Sequence, residues 1–244
     1  MCGFAGFVGE VENREQVLEN MIDTIIHRGP DSSGKFVDED AALGFRRLSI
    51  IDLSESGDQP LYNEDRSKVL VFNGEIYNYQ ELREELIQAG HTFVSNTDSE
   101  TLIHGYEQWG EELVYRLRGM YAFAIWDQKA KRLFSARDIF GIKPLYYAQM
   151  NGTLMFGSEI KSFLEHPKFD KVFNEDALGN YLSFQFVPTN ETFFKGVFCV
   201  QPGHYFVYEN GKMTIKRYFE PNFTGDTTKS FEEVVDDIEK VMKE

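Results

Sequence analysis

The sequence predicts an α+β fold in which helices pack outside two stacked, mainly antiparallel sheets. Apolar, strand-like runs dominate the middle of the chain, and turn dipeptides join several of them as hairpins. Amphipathic segments with helical spacing are grouped at the ends of these strand sets. With 244 residues, of which 42% are hydrophobic, the chain is long enough to bury a substantial core.

The first predicted elements are a short buried strand and an amphipathic helix. Residues 2–8 are small and apolar, as in a buried strand. Asn13 is predicted to open the helix, with Gln16 three residues later completing a capping box. The apolar residues of this helix share one face: Val17, Leu18, Met21, Ile22, Ile25 and Ile26.

The middle of the chain predicts a loop followed by strands and helices. Residues 27–34 are rich in loop formers, residues 41–45 resemble a strand, and the apolar run at 68–72 predicts a buried strand. Further strands are predicted at 91–94, 120–126, 132–136, 145–148, 153–156, 205–208 and 213–218. Helices are predicted at 80–89, 100–109, 111–117, 159–164 and 175–182.

The C-terminal residues predict a linker and one amphipathic helix. Residues 219–229 have a linker composition, and Ser230 with Glu233 forms a predicted capping box. The apolar face of the helix consists of Phe231, Val234, Val235, Ile238, Val241 and Met242. Such a face needs a partner, which is either this domain or a second domain that the helix begins.

The composition excludes several classes of function. A net charge of −15 argues against binding to nucleic acid or to an anionic membrane surface. The N-terminus lacks a signal-peptide pattern, and no apolar run approaches the roughly 18 residues that span a bilayer. Cys2 and Cys199 give no disulfide framework, so we expect a cytoplasmic protein. The histidines are scattered along the sequence, which predicts no metal site.

Cys2 is the candidate nucleophile. If Met1 is removed, one residue carries both a thiol and a free α-amine, which titrates at roughly 7.7–8.0. A nucleophile paired with its own N-terminal amine is an established catalytic arrangement. The alternative is that Cys2 is a small buried hydrophobic residue, or that a retained Met1 blocks the amine.

Three further positions are candidates for substrate contacts. The amide of Asn73 and the backbone N–H of Gly74 are suited to an oxyanion, although Asn-Gly is also a common turn. Arg47 can hold a carboxylate with two hydrogen bonds, or form a structural ion pair. Asp98 can hold an ammonium group, cap the following helix, or do both. The segment 27–31 is either a substrate lid or an ordered structural loop, and the loop is favoured.

Taken together, these groups describe an α-amino acid that is attacked at a side-chain carbonyl. Arg47 would bind its carboxylate and Asp98 its ammonium group. Asn73 with Gly74 would form an oxyanion site next to the Cys2 thiol. Glutamine is the substrate that fits this arrangement. The thiol attacks the carboxamide, ammonia leaves, and water releases glutamate.

A series of short motifs runs in order from residue 2 to about residue 205. The motifs are Cys2-Gly3, His27-Arg28-Gly29-Pro30-Asp31, Arg47-Leu48-Ser49-Ile50-Ile51-Asp52, Gln59-Pro60-Leu61, Asn73-Gly74-Glu75-Ile76-Tyr77-Asn78, Thr97-Asp98-Ser99-Glu100, Gly119-Met120-Tyr121-Ala122-Phe123-Ala124, Arg137-Asp138 with Gly141-Ile142-Lys143-Pro144-Leu145-Tyr146-Tyr147, Ser158-Glu159-Ile160-Lys161 and Gln201-Pro202-Gly203-His204. Together they closely resemble the N-terminal glutaminase domain of glutamine-hydrolysing asparagine synthetases, a class II glutamine amidotransferase of the N-terminal nucleophile hydrolase fold.

The resemblance implies a four-layer αββα sandwich over residues 1–218. It implies Cys2 as the nucleophile and Asn73 with Gly74 as the oxyanion hole. It further implies that glutamine is bound by Arg47, Leu48, Ser49, Ile50 and Ile51, by Asn73, Gly74 and Glu75, and by Asp98. Residues 219–244 are then a linker and the first helix of a C-terminal synthetase domain that these residues do not include.

The expected partners follow from the same resemblance. They are glutamine and the synthetase domain, in which ATP and Mg²⁺ would activate a carboxylate for attack by ammonia. A homodimer is compatible with the resemblance. No cofactor is expected within residues 1–244, because they contain no phosphate-binding glycine loop.

Two rival functions remain open at the level of sequence. The same glutaminase chemistry is also found in enzymes that amidate other carboxylates, including cell-wall precursors. The other rival is a non-catalytic regulatory copy of the fold, against which the presence of Cys2 argues.

Overall fold

The protein is an antiparallel sandwich of two sheets flanked by helices. The structure, a computed structural model, describes residues 2–48, 57–225 and 228–243. Twelve strands in these ranges form two six-stranded sheets, in which all recorded strand pairs are antiparallel. This arrangement is the α+β class that the sequence predicts.

The elements have the following bounds. The strands are β1 (Gly3–Val8), β2 (Ser32–Val37), β3 (Ala41–Arg47), β4 (Leu61–Tyr62), β5 (Lys68–Ile76), β6 (Gly119–Asp127), β7 (Arg132–Arg137), β8 (Tyr146–Met150), β9 (Thr153–Gly157), β10 (Val197–Cys199), β11 (His204–Glu209) and β12 (Lys212–Arg217). The helices are α1 (Arg14–Asp23), α2 (Tyr79–Gln88), α3 (Asp98–Trp109), α4 (Glu175–Phe184) and α5 (Phe231–Lys243). Short 3₁₀ helices cover Ile26–Arg28, Gly110–Tyr115 and Ile160–Glu165.

The strand order places β1 inside one sheet and β5 inside the other. The first sheet has the order β10-β8-β9-β1-β3-β2, and the second has the order β12-β11-β7-β6-β5-β4. Strand β1 pairs with β3 on one side and β9 on the other. Strand β5 pairs with β6 along its whole length, but β4 covers only Val69 and Leu70 on the other side, so within the described chain residues 71–76 have a strand neighbour on one side only.

Three apolar cores separate four layers. The first core lies between the sheets and contains side chains from β1, β3 and β9 together with β5, β6 and β7. A second core joins α2 and α3 to the outer face of β5, β6 and β7. The third joins α1 to the outer face of β1, β3 and β9. The four-layer αββα sandwich is thereby confirmed.

Strand β5 contributes side chains to two of these cores. Val69 and Val71 point into the core between the sheets, whereas Leu70 and Phe72 point toward the helices. Because successive side chains of a strand lie on opposite faces, a strand buried on both faces is a continuous apolar run.

Several local predictions were wrong. Residues 32–34, predicted as the end of a loop, belong to β2 (Ser32–Val37), which has one face half-buried and the other exposed. Residues 91–94 form no strand, and Val94 is 90% exposed. Strand β5 extends to Ile76, so the segment after residue 72 is not a turn. The short strands β4 and β10 were also missed by the sequence patterns.

The two predicted capping boxes had different outcomes. Asn13 adopts a left-handed conformation with φ of 53° and makes no side-chain cap bond, while the Gln16 amide donates to Asn20 instead. At α5, Ser230 and Glu233 form the predicted box, with the Ser230 N–H donating to the Glu233 carboxylate at 2.8 Å. The apolar face of α5 is exposed, from 38% at Val234 to 80% at Met242.

Within residues 2–48, 57–225 and 228–243, each helix is too short or too polar to cross a bilayer.

Candidate active site

Cys2 lies directly before β1, at the end of a paired strand. Strand β1 runs antiparallel to β3 with Gly3 opposite Arg46, so Cys2 reaches the residues that follow β3. The backbone N–H of Leu48 donates to Cys2 Sγ at 3.4 Å, and Sγ lies 3.6 Å from the Leu48 carbonyl oxygen. The thiol is therefore held at one end of two neighbouring strands.

Arg28 fixes the backbone beside the thiol. Its Nε–H donates to the Cys2 carbonyl oxygen at 2.9 Å, and its Nη1 pairs with Glu159 at 3.0 Å. A Cβ atom at Gly3 would lie 2.8 Å from the Arg28 side chain, so glycine leaves the space that the guanidinium occupies. Arg28 thus connects the segment 27–31 to the backbone of Cys2 and to Glu159.

The side-chain amide of Asn73 is buried and lacks a hydrogen-bond partner in the described part of the chain. Asn73 lies within β5 opposite Ala122, rather than in a turn, and is only 2% exposed. Its Nδ2 has no hydrogen-bond partner within the described ranges of the chain. A buried amide that lacks a partner costs free energy, and a ligand oxygen can recover that cost.

Gly74 allows β5 and β6 to approach closely next to Asn73. A Cβ atom at this position would lie 2.2 Å from the Met120 carbonyl oxygen, which is far inside contact distance. No larger side chain fits without movement of the backbone. Glu75 follows in the same strand, opposite Met120, and is half-buried.

Arg47 is the last residue of β3 and is 8% exposed. Its Nη1 donates to Asp58 Oδ1 at 2.7 Å, and the Asp58 side chain is 44% exposed. Gly57 packs against the guanidinium, because a Cβ atom there would lie 2.5 Å from Nη2. A guanidinium has five N–H donors in a planar fork, a geometry suited to binding a carboxylate.

Asp98 begins α3 and does not act as its N-cap, which is Thr97. The Asp98 Oδ2 atom accepts a hydrogen bond from the backbone N–H of Ile76 at 2.8 Å. Burial raises the pKa of Asp98 to about 6, although backbone hydrogen bonds from Ile76 and Ser99 act in the opposite direction. An ammonium group next to Asp98 would stabilise its ionised form.

One cavity of about 370 Å³ is lined by all the predicted site residues that the structure describes. They are Cys2, Arg47, Leu48, Asn73, Gly74, Glu75 and Asp98. Its volume lies in the range of small-molecule sites. Ser49, Ile50 and Ile51, which were also predicted to bind substrate, lie outside the described residues.

Sequence reasoning did not assign Gln59 and Lys143 to the site, although both line the cavity. Gln59 is buried and its amide binds the Phe72 backbone, accepting from the N–H at 2.6 Å and donating to the carbonyl at 3.1 Å. It thereby supports the strand next to Asn73. Both residues belong to the short motifs found in the sequence, and membership of those motifs was the only indication that they belong to the site.

The chain is similar to known amidotransferases in sequence. A family model described as a glutamine amidotransferase domain matches residues 1–219. Asparagine synthetase [glutamine-hydrolyzing] 1 of Bacillus subtilis is 46% identical over 229 residues, which cover 91% of this chain and 36% of that protein. Asparagine synthetase [glutamine-hydrolyzing] 3 of the same organism is 34% identical over 251 residues, covering 100% of this chain and 40% of that protein. The chain thus spans well under half the length of these relatives.

A solved structure supports the fold. Glutamine phosphoribosylpyrophosphate amidotransferase from B. subtilis aligns with a TM-score of 0.67 and 21% identity, covering 90% of this chain and 50% of that chain. At this identity the similarity concerns the fold alone, which is the predicted four-layer αββα sandwich.

Proposed function

This chain belongs to the family of glutamine amidotransferase domains, and from that premise we propose that it hydrolyses glutamine to glutamate and ammonia with Cys2 as nucleophile. The observation that carries the proposal is the shared cavity. A thiol, an unpaired buried amide donor, a guanidinium and a carboxylate all line it, at Cys2, Asn73, Arg47 and Asp98.

The nucleophile requires the removal of Met1. The freed α-amine of Cys2 takes the thiol proton, and Sγ forms a bond to the side-chain carbonyl carbon of glutamine. The amine then gives its proton to the departing nitrogen, and ammonia leaves. Water attacks the resulting thioester, which releases glutamate and restores the thiol.

The oxyanion of each tetrahedral intermediate would be held by Asn73 Nδ2 and the backbone N–H of Gly74. Because the Asn73 amide is buried and has no partner in the described structure, its donor requires little reorganisation when charge develops. Gln59 keeps the strand in place through the Phe72 backbone.

The remaining groups would select an α-amino acid. The Arg47 guanidinium would bind the α-carboxylate, and the Asp98 carboxylate would bind the α-ammonium group. Glu75 and the residues Leu48, Ser49, Ile50 and Ile51 would complete the binding site. Because both groups are bonded to the α-carbon, the two charged side chains hold that end of glutamine and orient its side chain toward the thiol.

We further propose that the ammonia serves asparagine synthesis from aspartate in a C-terminal synthetase domain, where ATP and Mg²⁺ would act. The two asparagine synthetases named above support this acceptor. The apolar face of α5 is exposed to solvent, and exposure of such a face costs free energy. This supports the proposal that α5 packs against a further protein domain.

Glutamate release from glutamine by this chain tests the proposal, with Cys2→Ala and Cys199→Ala as matched thiol variants. The mass of the N-terminal peptide establishes whether Met1 has been removed from the sample. We expect release from the wild type and from Cys199→Ala, and none from Cys2→Ala. Release that persists in Cys2→Ala would overturn Cys2 as the nucleophile.

A further inference from the structure

Two histidines and two glutamates meet at a place that the predicted chemistry does not use. Glu64 follows β4, His91 follows α2, and His104 and Glu107 lie one turn apart on α3. None of the four lines the active-site cavity. Their possible ligand atoms all lie within 4.8 Å of one another.

The distances fit a slightly expanded metal site. His104 Nδ1 lies 3.5 Å from Glu64 Oε1 and 3.5 Å from Glu107 Oε2. His91 Nδ1 lies 3.8 Å and 3.9 Å from the same two oxygens. Ligands about 2.1 Å from a tetrahedral zinc ion are about 3.4 Å apart, so these nitrogen–oxygen pairs need to contract by up to about half an ångström. The widest pair of the cluster, which lies within 4.8 Å, would need to contract further.

His104 supplies an independent observation. It is 1% exposed, and neither ring nitrogen has a hydrogen-bond partner within the described ranges; the same holds for Glu107 Oε2. Buried polar atoms in proteins are nearly always satisfied, so orphaned atoms that face one another call for a shared partner. A cation between them would satisfy His104 Nδ1 and Glu107 Oε2 together.

The surrounding contacts orient the four ligands. The Glu107 Oε1 atom accepts from Asn63 Nδ2 at 2.7 Å, which leaves Oε2 facing the histidines. On the other side of the His91 ring, Nε2 lies 3.2 Å from Gln108 Oε1. The Nε2 atom of His104 lies 3.5 Å from the Glu100 carboxylate, as in histidine ligands that a second carboxylate orients.

From this geometry we propose that Glu64, His91, His104 and Glu107 form a binding site for a divalent first-row transition metal, with zinc as the best fit. Two imidazoles and two carboxylates are ligands that zinc accepts, and their two negative charges balance the ion. The sequence did not predict this site, because its histidines come from different segments.

A proton on His104 is the competing way to balance the same charges. Burial lowers the pKa of this imidazole, but Glu100 and Glu107 outweigh burial and the pKa lies at about 9. Metal and proton are thus alternative occupants of one place, and direct binding measurements distinguish them.

The metal would act as a structural clamp. It would connect the turn after β4 and the segment after α2 to the middle of α3. Because Asp98 begins α3 and lines the active-site cavity, a fixed helix would also fix that carboxylate.

Zinc binding to the metal-stripped 244-residue chain tests the proposal. The measurement uses a Cys2→Ala/Cys199→Ala background, because an N-terminal cysteine can itself chelate zinc through its thiol and amine. We expect one zinc per chain by competition with a chromophoric chelator, together with a rise in melting temperature on addition of zinc. Cobalt substitution should give the visible bands of a tetrahedral nitrogen and oxygen site.

Matched variants locate the ion without disturbing the deeply buried His104. We expect His91→Ala and Glu64→Gln each to weaken zinc binding at least about 10–100-fold, the loss typical even of second-shell changes. The half-buried His204→Ala and the exposed Glu112→Gln serve as controls and should bind as the parent does. Absence of saturable binding, or binding that His91→Ala and Glu64→Gln leave unchanged, would overturn the site.

Discussion

The carboxylate of Asp98 and the backbone N–H of Ile76 are joined by a 2.8 Å hydrogen bond that connects the start of α3 to the end of β5. The contact lies three residues beyond Asn73 on the same strand. One side chain therefore couples a helix to the strand that carries the proposed oxyanion donor. Because Asp98 also lines the cavity, its ionisation should affect substrate binding and stability in opposite directions.

The pH dependence of glutamine hydrolysis should reveal Asp98. Its pKa is raised to about 6, so the carboxylate is mostly protonated below that pH and cannot attract the glutamine ammonium group. Protonation of the Cys2 α-amine lowers kcat/KM below about pH 8, and we expect a further fall of about tenfold per pH unit below pH 6 from protonation of Asp98. In Asp98→Asn only the limb from the amine should remain, and kcat/KM should be lower at every pH. A second fall near pH 6 that survives in Asp98→Asn would assign that titration to another group.

The same substitution should stabilise the free protein near pH 7. The Asp98 pKa of about 6 in the folded protein is higher than the ordinary Asp value of roughly 3.9, so unfolding is accompanied by proton release and stability falls as pH rises from about 4 to 6. Asp98→Asn removes the buried charge and should raise the free energy of unfolding by on the order of 1–3 kcal/mol at pH 7. Urea denaturation at pH 4 and pH 7 checks the sign, because the advantage should vanish at pH 4.

Asn73→Ala should reduce turnover with little effect on the binding of glutamine. Loss of one oxyanion donor typically costs about 10²–10³ in kcat. The matched control is Asn78→Ala, whose amide contacts the Arg116 carbonyl outside the cavity. Steady-state glutamate release measures both variants. Equal kcat in Asn73→Ala and the wild type would remove Asn73 from the oxyanion hole.

Arg47→Lys should weaken glutamine binding because an ammonium group cannot form a paired contact to a carboxylate. The loss of one charged hydrogen bond corresponds to about 1.5–3 kcal/mol, or roughly 10–100-fold in affinity. Arg46→Lys is the control, since Arg46 extends to the other face and contacts Ile22 and Asp23 of α1. Calorimetry on the Cys2→Ala background gives both dissociation constants. Similar losses in the two variants would contradict a specific role for Arg47.

Gly74→Ala should destabilise the sandwich. The added Cβ would lie 2.2 Å from the Met120 carbonyl oxygen, and backbone on both strands would need to move. We expect a loss of about 1–3 kcal/mol, as for other overpacked sites. Gly179→Ala in α4 is the control, because no atom lies within 4 Å of its added Cβ. Urea denaturation should show that only Gly74→Ala is destabilised.

The sequence predicted the parts of the fold that depend on local patterns. The turn dipeptides that predict hairpins include Asn151-Gly152, which joins β8 to β9, and Asn210-Gly211, which joins β11 to β12. Strand β2 was missed because Ser32, Ser33, Gly34 and Lys35 are typical of loops, and only pairing with β3 makes them a strand. Segments as short as 91–94 contain too few residues for an alternation of apolar and polar side chains to identify a strand.

The site was predictable to the extent that single residues have distinctive chemistry. Cys2, Arg47 and Asp98 were recognised in this way, and all line the cavity. The support from Arg28 and Gln59 depends on tertiary contacts to the backbone of Cys2 and Phe72, which no spacing encodes. The cluster of His91 with Glu64 was missed for the same reason, since it exists only after α3 packs against β4 and β5.

The close contact at Gly74 has a counterpart across the same pair of strands. A Cβ atom at Gly119 of β6 would lie 2.2 Å from the Glu75 carbonyl oxygen. Both faces of β5 and β6 are buried among apolar side chains, so a slip by one residue would exchange one apolar face for another without exposing polar groups. Hydrophobicity therefore cannot encode the alignment of these strands. The two glycines do so by steric exclusion, and thereby set which residue of β5 presents its amide to the cavity.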